Sequence, residues 1–106
     1  MIENLGGLKI FLRNLEKEGV IFKKHFYEKI EDRPYLTEGL IFDSLKNIEN
    51  ILGFQKQIVG NKERFRIGIK LSSKYNLVIV CEIEGKNLYI VTVWKTSRKW
   101  QKAIQK

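Results

Sequence analysis

The chain changes its hydrophobic period near Ile51, and that switch limits the folds open to it more than any other feature. Before it, apolar residues recur at spacings of three and four, the mark of helices buried on one side. After it they alternate every second residue or run together, as strands do. With 106 residues there is material for one core and no second domain. A helical half followed by a stranded half predicts an α+β domain, helices packed on a sheet.

In the first half, Leu5, Leu8, Phe11, Leu12 and Leu15 predict a helix over 4–18, with Gly19 placed as a C-capping glycine. Val20-Ile21-Phe22 reads either as a brief edge strand or as the lead into the next helix. That helix is expected over 24–32 with Phe26 and Ile30 inward and Tyr27 beside them. It stops before Pro34, because a residue preceding proline avoids helical angles. Thr37 then fits an N-cap for a helix reaching about Asn47. In the second half, strands are expected over 53–59, 64–71, 76–83 and 87–95. Gly60-Asn61 and Glu84-Gly85-Lys86-Asn87 supply tight turns, so the strands form a four-stranded antiparallel meander.

The charge of +8 is unevenly spread. Residues 1–50 hold eight Lys/Arg against nine Asp/Glu, a sum of −1, and residues 51–106 hold twelve against three, a sum of +9. Such a field draws phosphate backbones or acidic partners. In the 64–71 strand, Phe65, Ile67, Ile69 and Leu71 face one side while Arg64, Arg66, Gly68 and Lys70 face the other. No acid is expected to relieve that stripe apart from Glu63 just before it. Two readings stand: a solvated face, or a face that meets phosphate with Gly68 admitting close backbone approach. A tail over 96–106 adds Arg98, Lys99, Lys102 and Lys106 after Lys95. Trp94 and Trp100 flank that cluster, as core packing or as stacking platforms for bases.

Other chemistry is poorly served. One His and one Cys cannot build a zinc site of N/S ligands, so neither metal nor cofactor is expected. The longest apolar run, Leu77 to Cys81, is too short for a bilayer, and nothing resembles a signal peptide. The lone Cys81 lies among Val and Ile, a buried thiol suited to a reducing compartment, so a cytoplasmic location is expected. The remaining candidate is His25. Lys29 and Arg33 follow it at four and eight residues, which on one helix shares a face. An imidazole there could move a proton at a ribose hydroxyl while the two cations hold a phosphate.

From Val20 through His25, Lys29 and Arg33 to the helix ending at Leu45, the chain resembles the opening of BrnT-like toxins of the RelE-like toxin superfamily. The likeness spans residues 20–98 and closes on Ile90-Val91-Thr92-Val93-Trp94. It implies a compact RelE-like fold and a metal-independent endoribonuclease that cuts RNA and is restrained by an acidic antitoxin. By position it implies catalytic roles for His25, Lys29 and Arg33, and RNA contacts from Arg66, Lys70, Lys95 and Arg98; the basic stripe and tail add Arg64, Lys99 and Trp100 as expected contacts of the same kind. Two departures are plain: Lys29 stands where the family commonly has Arg, and residues 1–19 add a helix ahead of the first strand. That helix has two roles open to it, covering the active face or forming a homodimer. Beside the nuclease stand two other readings, a non-catalytic nucleic-acid-binding module and a protein-interaction domain with an acidic partner.

Overall fold

The computed structural model describes residues 2–30, 33 and 35–97. Three helices, α1 (Leu5–Asn14), α2 (Lys24–Ile30) and α3 (Glu38–Lys46), lie on one side of a five-stranded sheet. The strands are β1 (Val20–Phe22), β2 (Ile51–Val59), β3 (Lys62–Lys70), β4 (Tyr75–Glu84) and β5 (Asn87–Ser97), in spatial order β1-β5-β4-β3-β2. The α+β class and the antiparallel meander β2 to β5 match the sequence expectation. The expected count of four strands needs correction. β1 adds a fifth strand, parallel to β5, with Val20 opposite Leu88 and Phe22 opposite Ile90. Only three residues long, it covers one end of β5, and its pairing across almost seventy residues leaves no local signature.

Helix ends follow local chemistry. The Asn4 side chain accepts a hydrogen bond from the Gly7 amide at 2.8 Å, and Thr37 Oγ1 accepts one from the Leu40 amide at 3.1 Å. α1 ends four residues short of the expected boundary because Leu15 is extended. The Lys46 ammonium, at the end of α3, donates to the carbonyls of Leu12, Arg13 and Leu15 at 3.0, 2.7 and 2.9 Å. It thus satisfies carbonyls that a helix terminus leaves without partners and ties α1 to α3. Gly19 is not a helix cap. It closes a 3₁₀ turn against the β4–β5 hairpin, where a Cβ would stand 3.1 Å from the Lys86 carbonyl oxygen. In the hairpins themselves Gly60 and Gly85 have φ of +64° and +61°, at the first position of two-residue turns. That geometry matches strand twist and is open chiefly to glycine.

The core is built from one face of the sheet. Phe65, Ile67 and Ile69 of β3, Leu77, Ile79 and Cys81 of β4, and Leu88, Ile90 and Val93 of β5 meet Leu8 and Leu12 of α1, Phe26 of α2, and Ile41 and Leu45 of α3. Tyr27, expected near the core, is instead 49% exposed. A bulge at Val91 lets Cys81 face Ile90 while Val80 faces Thr92. The extra residue resets the alternation of β5, so Val93 enters the core and Trp94 turns to the other face. No helix among the described residues is long and apolar enough to cross a membrane.

Candidate nucleic-acid interface

The sheet face turned away from the helices is ordered in rows, because cross-strand partners share a face. One row runs Gly53, Gly68, Val78, Trp94. The next runs Gln55, Arg66, Val80, Thr92, and the third runs Gln57, Arg64, Glu82, Tyr89. Lys70 sits in a further row beside Asn76 and Thr96. Gly53 and Gly68 stand side by side in the first row, but Val78 separates them from the indole, and Gly68 and Val78 are both buried, so the close backbone approach expected at Gly68 has no open surface there. Between the second and third rows lies a cleft of about 400 Å³ lined by Gln55, Lys56, Gln57, Arg64, Arg66 and Val80.

The third row is an ion-pair network. Glu82 is 5% exposed, bonds the Lys23 ammonium through Oε1, and receives Arg64 Nη2 on Oε2 at 3.0 Å. Burial alone would push this carboxyl up; the Lys23 and Arg64 hydrogen bonds and charges outweigh it and hold the group below the usual carboxylate range. Lys23 also lies over the Tyr89 ring, 5.9 Å from its centroid. The expectation of a stripe with no acid but Glu63 is therefore wrong at Arg64. Glu63 itself pairs with Lys56, which also holds Glu3.

The second row differs. The Arg66 guanidinium lies over the Trp94 ring at 5.7 Å and has no carboxylate partner among the described residues. Arg66 is exposed, and so is Lys70. Arg33 joins from the edge, donating through Nη1 to the Val93 carbonyl at 3.1 Å and lying 3.5 Å from Thr92 Oγ1. Its position corrects the expected helical face of His25, Lys29 and Arg33: Arg33 is not helical and reaches the edge of β5 instead. Because β1 stops pairing at Ile90, the Val93 carbonyl at the strand edge is left for the guanidinium. His25 is half exposed, with Nδ1 3.9 Å from Glu28 Oε2, and Lys29 is exposed on the same helix.

Lys95 belongs to the helix side of the sheet, since it faces Leu77, so the fold separates it from Arg66 and Trp94. The Ile30 side chain and residues 98–106, with the expected Arg98, Lys99 and Trp100 contacts, lie outside the described residues. Among the described residues no three His, Cys, Asp or Glu groups converge on a metal position. Cys81 is fully buried, and burial with the neighbouring Glu82 charge pushes its thiol up, away from nucleophilic chemistry.

Glu82 is a feature of this face that sequence reasoning missed. A signal for Glu82 existed: a single acid inside the run Val78 to Ile83 must find cationic partners if it is buried. Compared with protein-family models, curated proteins and solved structures, the chain matches none of them.

Proposed function

We propose that this protein binds single-stranded RNA on the sheet face opposite its helices. The observation that carries the reading is the Arg66–Trp94 pair on that face, the exposed guanidinium lying over the indole. An exposed cation with no acid partner among the described residues supplies a phosphate contact, and the indole supplies a stacking platform. Gln57 borders the same cleft and offers an amide that donates and accepts towards base edges. The excess of positive charge in residues 51–106 supports steering of a polyanion to this side.

The test is fluorescence anisotropy with a labelled single-stranded RNA. Arg66→Gln and Trp94→Ala are each expected to weaken binding about tenfold, the loss of one charge-assisted contact or one stacked base. Affinity should fall steeply as salt rises from about 50 to about 200 mM. Binding that ignores both substitutions places the RNA elsewhere.

Cleavage is a second reading, favoured by the half-exposed imidazole of His25 two residues after Lys23, which reaches the same face as Arg64. In this reading the 2′-hydroxyl attacks the adjacent phosphate, giving a 2′,3′-cyclic end and a free 5′-hydroxyl. His25 takes the 2′-hydroxyl proton, Lys29 one turn further along the helix stabilises the phosphate charge without a metal, and water protonates the leaving 5′-oxygen. The family resemblance to BrnT-like and RelE-like toxins supports it, and with it an acidic antitoxin as partner. Cleavage should persist in chelator and vanish on RNA with 2′-deoxyribose at the scission site. Activity unchanged by His25→Ala rules this reading out and leaves binding standing.

A further inference from the structure

Consecutive residues of β5 send Trp94 and Lys95 to opposite faces, and Lys95 finds a different setting. Its ammonium lies 4.7 Å from the centroid of the Tyr35 ring and 4.6 Å from that of Tyr75. Lys95 is exposed, and no carboxylate among the described residues pairs with it. The rings are 48% and 43% exposed. Contact with one ammonium therefore leaves each of them substantial area in water.

Both rings stand on fixed backbone. The Tyr75 carbonyl accepts from the amides of Leu71 and Ser72 at 3.0 and 3.1 Å, and Ser72 Oγ accepts from the Tyr75 amide at 3.2 Å. Tyr35 sits in a turn closed by the Leu36 amide on the Arg33 carbonyl at 2.9 Å, and Leu36 is 2% exposed. Two tyrosines held in this way around a cation present stacking surfaces and a charge at low entropic cost.

Arg33 links this group to the other face. It is two residues from Tyr35, and its guanidinium lies on the Val93 carbonyl, immediately before Trp94 and Lys95. β1 pairs with β5 only over Leu88–Ile90, so beyond Ile90 no described strand covers this edge. Cations thus run from Arg66 on one face, through Arg33 at the edge, to Lys95 on the other.

Resting on the RNA-binding reading, we infer that Tyr35, Tyr75 and Lys95 form a second nucleotide subsite, reached by the same single strand crossing the edge of β5 at Arg33. Bases stack on the outer tyrosine faces, and the Lys95 ammonium meets the intervening phosphate. Arg33 contacts the phosphate at the crossing. The ligand class is single-stranded RNA long enough to occupy both faces at once.

The experiment compares two labelled oligouridines of about 4 and about 12 nucleotides, within the range of single-strand site sizes. Wild-type protein should bind the longer one more tightly. In Tyr35→Ala/Tyr75→Ala that advantage should shrink about tenfold, whereas Tyr35→Phe/Tyr75→Phe, which keeps the rings, should retain it. Lys95→Gln provides a variant without aromatic truncation and should lose part of the advantage. Thermal midpoints of all variants separate this from a purely structural staple. An undiminished advantage in both the alanine and glutamine variants overturns the subsite. Absence of binding by wild-type protein to either oligonucleotide overturns the RNA reading as well, and so is told apart from failure of the subsite alone.

Discussion

Arg64 and Arg66 stand two residues apart on one strand and point to the same side, yet the fold uses them for opposite purposes. Arg64 faces Glu82 across the β3–β4 ladder and shares it with Lys23 from the end of β1. Arg66 faces Val80 and lies on an indole. One charge is spent on holding a buried carboxylate in place, and the other stays available to a ligand. A strand's alternation therefore identifies which side a cation faces, whereas the residue opposite it decides what it does. A basic stripe cannot be read as a uniform phosphate rail.

Substitutions that break this contrast rank by size. Glu82→Gln should have the largest effect, about 2 kcal/mol of stability. It leaves two cations facing a neutral amide, and the loss is reduced from that of a fully buried pair because Lys23 and Arg64 are each about one-third exposed. A denaturant midpoint equal to wild type contradicts a structural role for the network. Next, Arg66→Gln should weaken RNA binding about tenfold, about 1.4 kcal/mol, with stability within about 0.5 kcal/mol of wild type. Arg64→Gln should show the reverse: about 1 kcal/mol of stability lost and little change in RNA affinity at a temperature where the variant is folded. Equal loss of affinity in both variants would erase the distinction.

The smallest effect is the pH dependence. With its pKa depressed in the folded state, Glu82 contributes stability that is complete above the unfolded carboxylate value, about 4.3, and is lost as pH falls through the lower folded value. The stability gap between wild type and Glu82→Gln should thus be flat from neutral pH down to the ordinary carboxylate range and narrow below it. A gap that widens towards acid has the wrong sign for this network.

Legibility from sequence varied with the range of the interactions involved. The β2 to β5 meander was readable because alternation and tight-turn glycines are local, and Thr37 announced α3 by the same logic. β1 was only half readable. Its three residues could be seen as extended, but the parallel partner lies in Leu88–Ile90 and nothing in either segment names the other. The helix end at Asn14 also depended on a distant group, with Lys46 capping it from 31 residues beyond Leu15. At the site, Arg66, Lys70 and Trp94 were visible as candidates, and the Val91 bulge placed the indole on their face. The grouping of His25, Lys29 and Arg33 failed because it assumed a helix running on to Arg33. Lys95 was read as part of one basic cluster, although strand alternation sets it on the other side from Trp94.

The most direct test of the central claim is a ¹⁵N-edited NMR titration of the wild-type protein with a single-stranded oligouridine at about 0.15 M salt. The account predicts saturable shifts of the Trp94 indole N–H and of the Arg66 and Gly68 amides, with the Arg64 and Glu82 amides moving far less. Saturable binding that leaves Trp94, Arg66 and Gly68 unmoved, or no saturable binding at that salt, contradicts it.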